Sequence, residues 1–338
     1  MLNPNPLSQP SETAILLLNL GGPLRLRDIR PFLLNLFNDR DIIKLGPALL
    51  QPLIARIIVG SRLEEVTHRY AEIGGGSPIL QESAAQAAML RRSLRAVGRT
   101  EPVKLVFRYT APRATGVLKS LASQGIRRLL PVTLYPHDCR ATTGSSVMEL
   151  EREATRWNME VLPGVRHYAT MDGYLRSLEE GILVRLVEAP EATVVFSAHS
   201  LPLKQIQAGD PYEREIHATV EALKARLGEL PGGYRLGYQS KVGPVEWLKP
   251  PLEDVLKSLP GRDVIVVPVS FVGEHIETLH ELDIEYHRLA EELGVRRYLR
   301  VPAPGLHPAF LKGLLALTLE ALKACDEESS FDLRPLRE

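Results

Sequence analysis

Cysteine is almost missing from this chain: Cys139 and Cys325 stand far apart and form no C-x-x-C pair. Such usage fits a reducing compartment and leaves no framework for disulfides, a zinc ribbon or an iron–sulfur cluster. Net charge is missing too, since 41 Lys and Arg balance 41 Asp and Glu. Cationic runs are as short as Arg91-Arg92 and Arg296-Arg297, so no nucleic-acid partner is expected. No uncharged apolar run nears the roughly 18 residues that span a bilayer. The first dozen residues lack the basic-then-apolar order of a secretory signal. The expected location is the cytoplasm. What is present, 44% hydrophobic and 24% charged residues, is an ordinary globular composition, long enough for one large domain or two medium ones.

One half echoes the other. Ala14 to Leu20, ending in Gly21-Gly22-Pro23, answers to Thr193 to Ser197, ending in Ser200-Leu201-Pro202. Val103 to Tyr109 answers to Tyr234 to Ser240, and Leu130 to Leu134 answers to Val267 to Phe271. Helical patterns at 80–96, 113–124, 173–187, 212–227 and 276–293 separate these strand-like runs. Alternating strands and helices predict parallel sheets with right-handed crossovers. The expected fold is α/β: two similar doubly wound, Rossmann-like domains with a cleft between them. The boundaries read as 1–160 and 161–306, with a helix at about 307–325 packing back on the first domain.

Near residues 31–77 the first half carries a long segment that the second lacks. It holds Pro31-Phe32-Leu33-Leu34-Asn35-Leu36-Phe37 and the apolar stretch from Leu49 to Val59. Two explanations stand. One is a lip at the cleft mouth for a large hydrophobic ligand or a membrane surface. The other is a helical hairpin packed on its own domain.

Two histidine-bearing segments, Ser197-Ala198-His199-Ser200-Leu201-Pro202 and Phe271-Val272-Gly273-Glu274-His275-Ile276-Glu277, each follow an apolar, β-branched run. Such runs are buried strands of an open parallel sheet, and ligands bind at their carboxyl ends. His199 can take a proton or offer nitrogen to a metal; its bland alternative is a histidine hydrogen-bonded for structure alone. Past His275, the residues Ile276, Leu279, Leu282, Tyr286, Leu289 and Leu293 gather on one side of a helix at about 100° per residue, while Glu277, Glu281 and Glu285 occupy another. A solvated acidic face explains that pattern as well as a functional row does. Fourth-residue spacing aligns better if the helix widens toward a π-turn, a feature frequent at functional sites. Neighbouring carboxylates can then share protons. Other strand ends are polar: Arg108-Tyr109, Gln239-Ser240-Lys241-Val242-Gly243-Pro244 and Tyr135-Pro136-His137-Asp138. The following Thr142-Thr143-Gly144-Ser145-Ser146 opens a helix toward an anion or merely caps it. Gly74-Gly75-Gly76 has no nucleotide-binding spacing.

Several of these segments, with Leu18-Asn19-Leu20-Gly21-Gly22-Pro23, Ile73-Gly74-Gly75-Gly76-Ser77-Pro78-Ile79, Phe107-Arg108-Tyr109, Trp247-Leu248 and His275 to Tyr286, occur in one characteristic order. In them the chain resembles the ferrochelatases from about Ile15 to Leu306. The resemblance implies a lyase of haem biosynthesis that inserts Fe²⁺ into protoporphyrin IX, forming protohaem and releasing two protons. It implies catalytic and metal-handling roles for His199 and Glu277, and a proton or metal path through Glu281 and Glu285. It implies porphyrin contacts at Leu20, Arg62, Tyr70, Ser77, Arg108, Tyr109 and Trp247. Leu20 sits where some members have methionine, and Glu274 where many have aspartate. His137-Asp138-Cys139-Arg140-Ala141 is an unusual version of the stretch before Thr142. The insertion at 31–62 matches a hydrophobic lip, so peripheral membrane contact is an expectation. The tail after Cys325 lacks the cysteines that hold a cluster in some members. No iron–sulfur cluster and no permanently bound cofactor are expected, iron being a substrate. Competing expectations are a coproporphyrin III or other tetrapyrrole chelatase, and a carrier that binds tetrapyrrole without metalating it. Neither monomer nor dimer is favoured.

Overall fold

The computed structural model of the protein describes residues 11–241, 243 and 245–332, with side chains through 327. The first ten residues, and Val242 and Pro244 of the strand-end motif, lie outside that set. Two parallel four-stranded sheets carry the fold. The first holds β1 (Thr13–Asn19), β2 (Val103–Phe107), β3 (Arg128–Thr133) and β4 (Glu160–Val161), in the order β2-β1-β3-β4. The second holds β5 (Thr193–His199), β6 (Tyr234–Gln239), β7 (Asp263–Pro268) and β8 (Arg297–Arg300), in the order β6-β5-β7-β8. The two orders are the same, and the three matched sequence runs are β1 and β5, β2 and β6, β3 and β7. Both central strands are buried almost end to end, which is why they read as unbroken apolar runs.

This topology dictates where chemistry can occur. The chain leaves β5, crosses to one side for β6 and to the other for β7, so a crevice opens outside the carboxyl ends of β5 and β7. His199 ends β5, and the segment carrying Glu277 follows β7.

Helices expected at 80–96, 113–124, 173–187 and 212–227 form at Ile79–Ala96, Ala114–Ser123, Asp172–Glu188 and Tyr212–Leu227. The segment after β7 departs from α-helix: Glu277–Tyr286 is a π-helix, followed by an α-helical turn at His287–Glu292. Within it Thr278, His280 and Leu282 are buried, whereas Leu279 and Tyr286 of the expected stripe are only partly covered. A wider turn no longer advances by 100° per residue, so the α-helical stripe does not survive.

The insertion forms two helices, Ile29–Asn38 and Gln51–Glu72, closed around a small core of Ile29, Leu33, Val59 and Tyr70. The insertion is thus a helical hairpin, and Leu49 (94% exposed), Leu50, Leu53 and Ile57 (64%) face outward from it. The main core is continuous across both sheets, joining Ile15 and Leu17 to Val194 and Phe196. The last helix, Pro308–Asp332, adds Phe310 and Leu314 to it. That helix packs along Asp172–Glu188 as well as on Ile79–Ala96, and so lies between the halves instead of on the first alone. Gly173 permits the approach, since a Cβ there would sit 2.2 Å from the Ala309 carbonyl oxygen.

Candidate active site

A cavity of about 460 Å³ lies where the carboxyl ends of the two sheets meet the lip, within the roughly 300–1,000 Å³ of ligand clefts. Phe32, Leu33, Leu36 and Val66 from the lip helices make its apolar wall. Of the residues nominated by sequence, Leu20, Tyr70, Ser77, Tyr109, His199 and Glu277 line it. Arg62, Arg108, Trp247, Glu281 and Glu285 are not in its wall. Arg108 is buried and held by Asp39 (2.7 Å), Asp41 (2.8 Å) and Glu149 (3.2 Å). Its charge is matched inside the protein, where it pins the end of the first lip helix instead of reaching the cavity. Trp247 pairs its backbone with Pro202 behind the His199 loop, and Arg62 stays partly exposed on the Gln51–Glu72 helix. The glycine turn has a packing role: Ser77 N–H donates to Pro23 O (2.7 Å), and a Cβ on Gly76 would lie 2.2 Å from Leu24 O. This contact sets Ser77 beside the β1 end.

His199 Nδ1 and Glu277 Oε2 are 3.2 Å apart, and each side chain keeps about a third of its surface open (33% and 32%). Burial works against a charged imidazole, but the Glu277 charge and hydrogen bond outweigh it and raise the His199 pKa above 6.5. Burial likewise opposes the Glu277 carboxylate, and the His199 charge overcomes it, holding Glu277 down at about 2. Each partner thus favours the other's charged form. When His199 does lose a proton, the Glu277 contact keeps N–H on Nδ1 and leaves the Nε2 lone pair free. The backbone of His199 is tied down as well. Its N–H donates to Ser270 Oγ (3.0 Å), and Tyr212 O–H reaches both His199 O (2.9 Å) and Ser270 Oγ (2.8 Å). His275 Nδ1 accepts from the Glu277 N–H (3.1 Å), and burial lowers its pKa, so it is a neutral ring at the start of the π-helix.

Glu281 lies one wide turn beyond Glu277. It accepts from Ser240 N–H (2.7 Å), Ser240 Oγ and Gln239 Nε2 (3.1 Å). Gln239, fully buried, also donates to Glu277 O (3.0 Å) and takes a hydrogen bond from Ser197 Oγ (2.6 Å). Ser240 holds φ +66°, a left-handed conformation that a serine keeps only where its surroundings impose it. Burial first, then the Glu277 charge, raises the Glu281 pKa. Glu285 follows at the protein surface, 32% exposed. The three carboxylates thus run from the cavity outward along the π-helix. Among the described residues no cluster of three or more His, Cys, Asp or Glu side chains is arranged to hold a metal.

Sequence reasoning missed Ser270, Tyr212 and Arg69, all in the cavity wall. Ser270 follows β7 and could have been suspected from that position; Arg69 and Tyr212 carried no distinguishing signal. The Thr142 to Ser146 string gives the following helix no side-chain cap, and Thr142 borders the cavity. Its first three residues belong to a π-turn at Arg140–Gly144 and the last two open the α-helix, where Ser145 Oγ donates to Ala141 O (2.9 Å) and Thr143 Oγ1 to Arg166 O (3.1 Å).

Comparison with known proteins points to one family. The family model described as Ferrochelatase matches residues 12–322. A ferrochelatase from Synechocystis sp. is 40% identical, covering 96% of this chain and 86% of its own length. One from Geobacter metallireducens is 42% identical, covering 92% and 98%. Among solved structures, SirB from Bacillus subtilis with Fe³⁺ superposes with a TM-score of 0.56 at 14% identity, covering 93% of this chain and 97% of that one. At such identity the likeness concerns the fold: two similar α/β halves.

Proposed function

The chain belongs to the ferrochelatase family, and from that premise we propose that it inserts Fe²⁺ into protoporphyrin IX with His199 and Glu277 as the reacting pair. It is an enzyme of haem biosynthesis, a lyase whose substrates are iron and a porphyrin. The observation that carries the residue assignment is the 3.2 Å pair at the crevice between β5 and β7, inside a cavity with an apolar wall.

Each Fe²⁺ that enters the macrocycle replaces two pyrrole protons. Neutral His199, its Nδ1–H held by Glu277, presents Nε2 to accept one of them. The second leaves through Glu277 toward Glu281, whose raised pKa suits it to carry a proton. One imidazole and one carboxylate give Fe²⁺ few protein ligands and hold it weakly. Weak holding favours transfer to four porphyrin nitrogens.

Anaerobic mixing of the protein with Fe²⁺ and porphyrin, followed by the Soret spectrum, tests this. His199→Ala and Glu277→Ala should each abolish metalation while porphyrin still binds; retention of most activity removes that residue from the mechanism. Conversion of coproporphyrin III alone would move the substrate, and conversion of none would make the protein a carrier. The outward Leu49, Leu50, Leu53 and Ile57 support peripheral membrane contact through the lip, although no helix among the described residues is long and apolar enough to cross a membrane. Sedimentation with liposomes should fall when these four become serine, and an unchanged result discards the contact.

A further inference from the structure

Arg69 is the one lysine or arginine among the described residues lining the cavity. Its Nη2 meets Glu65 Oε1 (2.8 Å), one turn back on the same helix, and Glu285 Oε1 (3.1 Å), the outermost carboxylate of the row. Arg69 is 39% exposed, Glu65 63% and Glu285 32%, so both pairs are solvated and loosely held. Glu285 Oε2 lies 3.6 Å from His280 Nδ1, and His280 Nε2 is engaged by Glu72 (2.7 Å) on the Arg69 helix. A porphyrin carboxylate in this cavity meets neutral donors and a single permanent cation, because Arg108 is already matched by Asp39, Asp41 and Glu149.

We propose that Arg69 is a shared cation, which leaves Glu285 for a carboxylate of the bound porphyrin and thereby uncovers the outer end of the acidic row. The inference rests on porphyrin being the ligand of this cavity and adds a link between the two substrates. With the cavity empty, the guanidinium blocks Glu285. With it filled, Glu285 is open to an incoming cation. Linkage makes this reciprocal: a cation at Glu285 frees Arg69 and strengthens porphyrin binding. Arg69 is thus a substrate-anchoring residue that sits one helix away from the row it controls.

Metal-free binding of protoporphyrin IX and of its dimethyl ester, followed by fluorescence on the full chain, tests the exchange. Arg69→Gln should weaken the free acid roughly tenfold, the worth of one charge-assisted hydrogen bond, and leave the ester unchanged; Arg69→Lys should recover part of the loss. Glu285→Gln should tighten the free acid severalfold, and only while Arg69 is present, so the double variant should match Arg69→Gln. Equal loss for acid and ester, no loss for either, or weaker acid binding by Glu285→Gln would each overturn the proposal. Iron insertion by the wild type is run in parallel. A wild type that binds but does not metalate fails the catalytic reading while leaving this one standing.

Discussion

Replacing Glu277 by glutamine removes a negative charge 3.2 Å from His199 Nδ1 while nearly preserving shape. At that separation the attraction is about 1.3 kcal/mol in a fully aqueous dielectric and about 5 kcal/mol at an effective dielectric of 20. With side chains 33% and 32% open to the cavity, the lower end of that range applies. Losing that attraction removes the largest support for the charged imidazole, so the His199 pKa should drop. It starts above 6.5 and should end below it, because burial then acts against only the more distant Glu281 charge. Ring-proton NMR titration reads this directly, with His199→Gln assigning the resonance among nine histidines. An unchanged or higher value in Glu277→Gln would mean that the pair does not set the protonation of His199. The same linkage fixes the pH window of stability. His199, raised in the fold, contributes fully below 6.5, and that contribution is lost as pH climbs through the raised value. Glu277, depressed from 4.5 to about 2, contributes above 4.5 and loses its share as pH falls through about 2. The stability gap between wild type and variant should therefore be widest between those limits.

Iron insertion by the wild type should rise with pH through the raised His199 value, since only neutral imidazole accepts a proton; a profile flat through neutrality counts against His199 as the base. Arg300 bridges Glu274 (3.0 Å) and Asp283 at the π-helix and is 11% exposed. Arg300→Met strands two carboxylates and should cost roughly 3–5 kcal/mol in urea unfolding; a loss below about 1 kcal/mol would show that solvent screens them. Gly76→Ala forces a Cβ toward Leu24 O at 2.2 Å, and should cost roughly 1–3 kcal/mol while shifting Ser77 enough to weaken porphyrin binding measurably.

The doubled architecture was legible because central parallel strands are apolar on both faces. The edge strands escaped notice for the opposite reason: β4 spans Glu160–Val161 alone, and β8, Arg297–Arg300, is polar and half exposed. His199 and Glu277 stood out because each follows a central strand. Arg62 and Arg69 were harder to separate. Seven residues apart on one helix, they share a face, and only depth along the axis decides which one borders the cavity. The ion pairs of Arg108 could not be foreseen because Asp39 and Asp41 come from the lip and Glu149 from a later helix, partners that no local pattern announces. The π-helix showed itself in the fourth-residue carboxylates, whereas its buried set, Thr278, His280 and Leu282, did not.

Because Ile15 and Leu17 share one hydrophobic mass with Val194, Phe196 and Phe310, the two sheets are fused and cannot hinge apart without tearing that mass open. A flat macrocycle must be admitted some cheaper way. The lip pair packs mainly on its own small cluster around Ile29, Leu33, Val59 and Tyr70 and meets the body through polar ties such as Arg108 with Asp39 and His280 with Glu72, so it opens more readily than the fused sheets. Backbone amides in the lip should exchange with solvent long before those of β1 and β5, and entry and exit of the tetrapyrrole become a matter of one hairpin lifting from a rigid body.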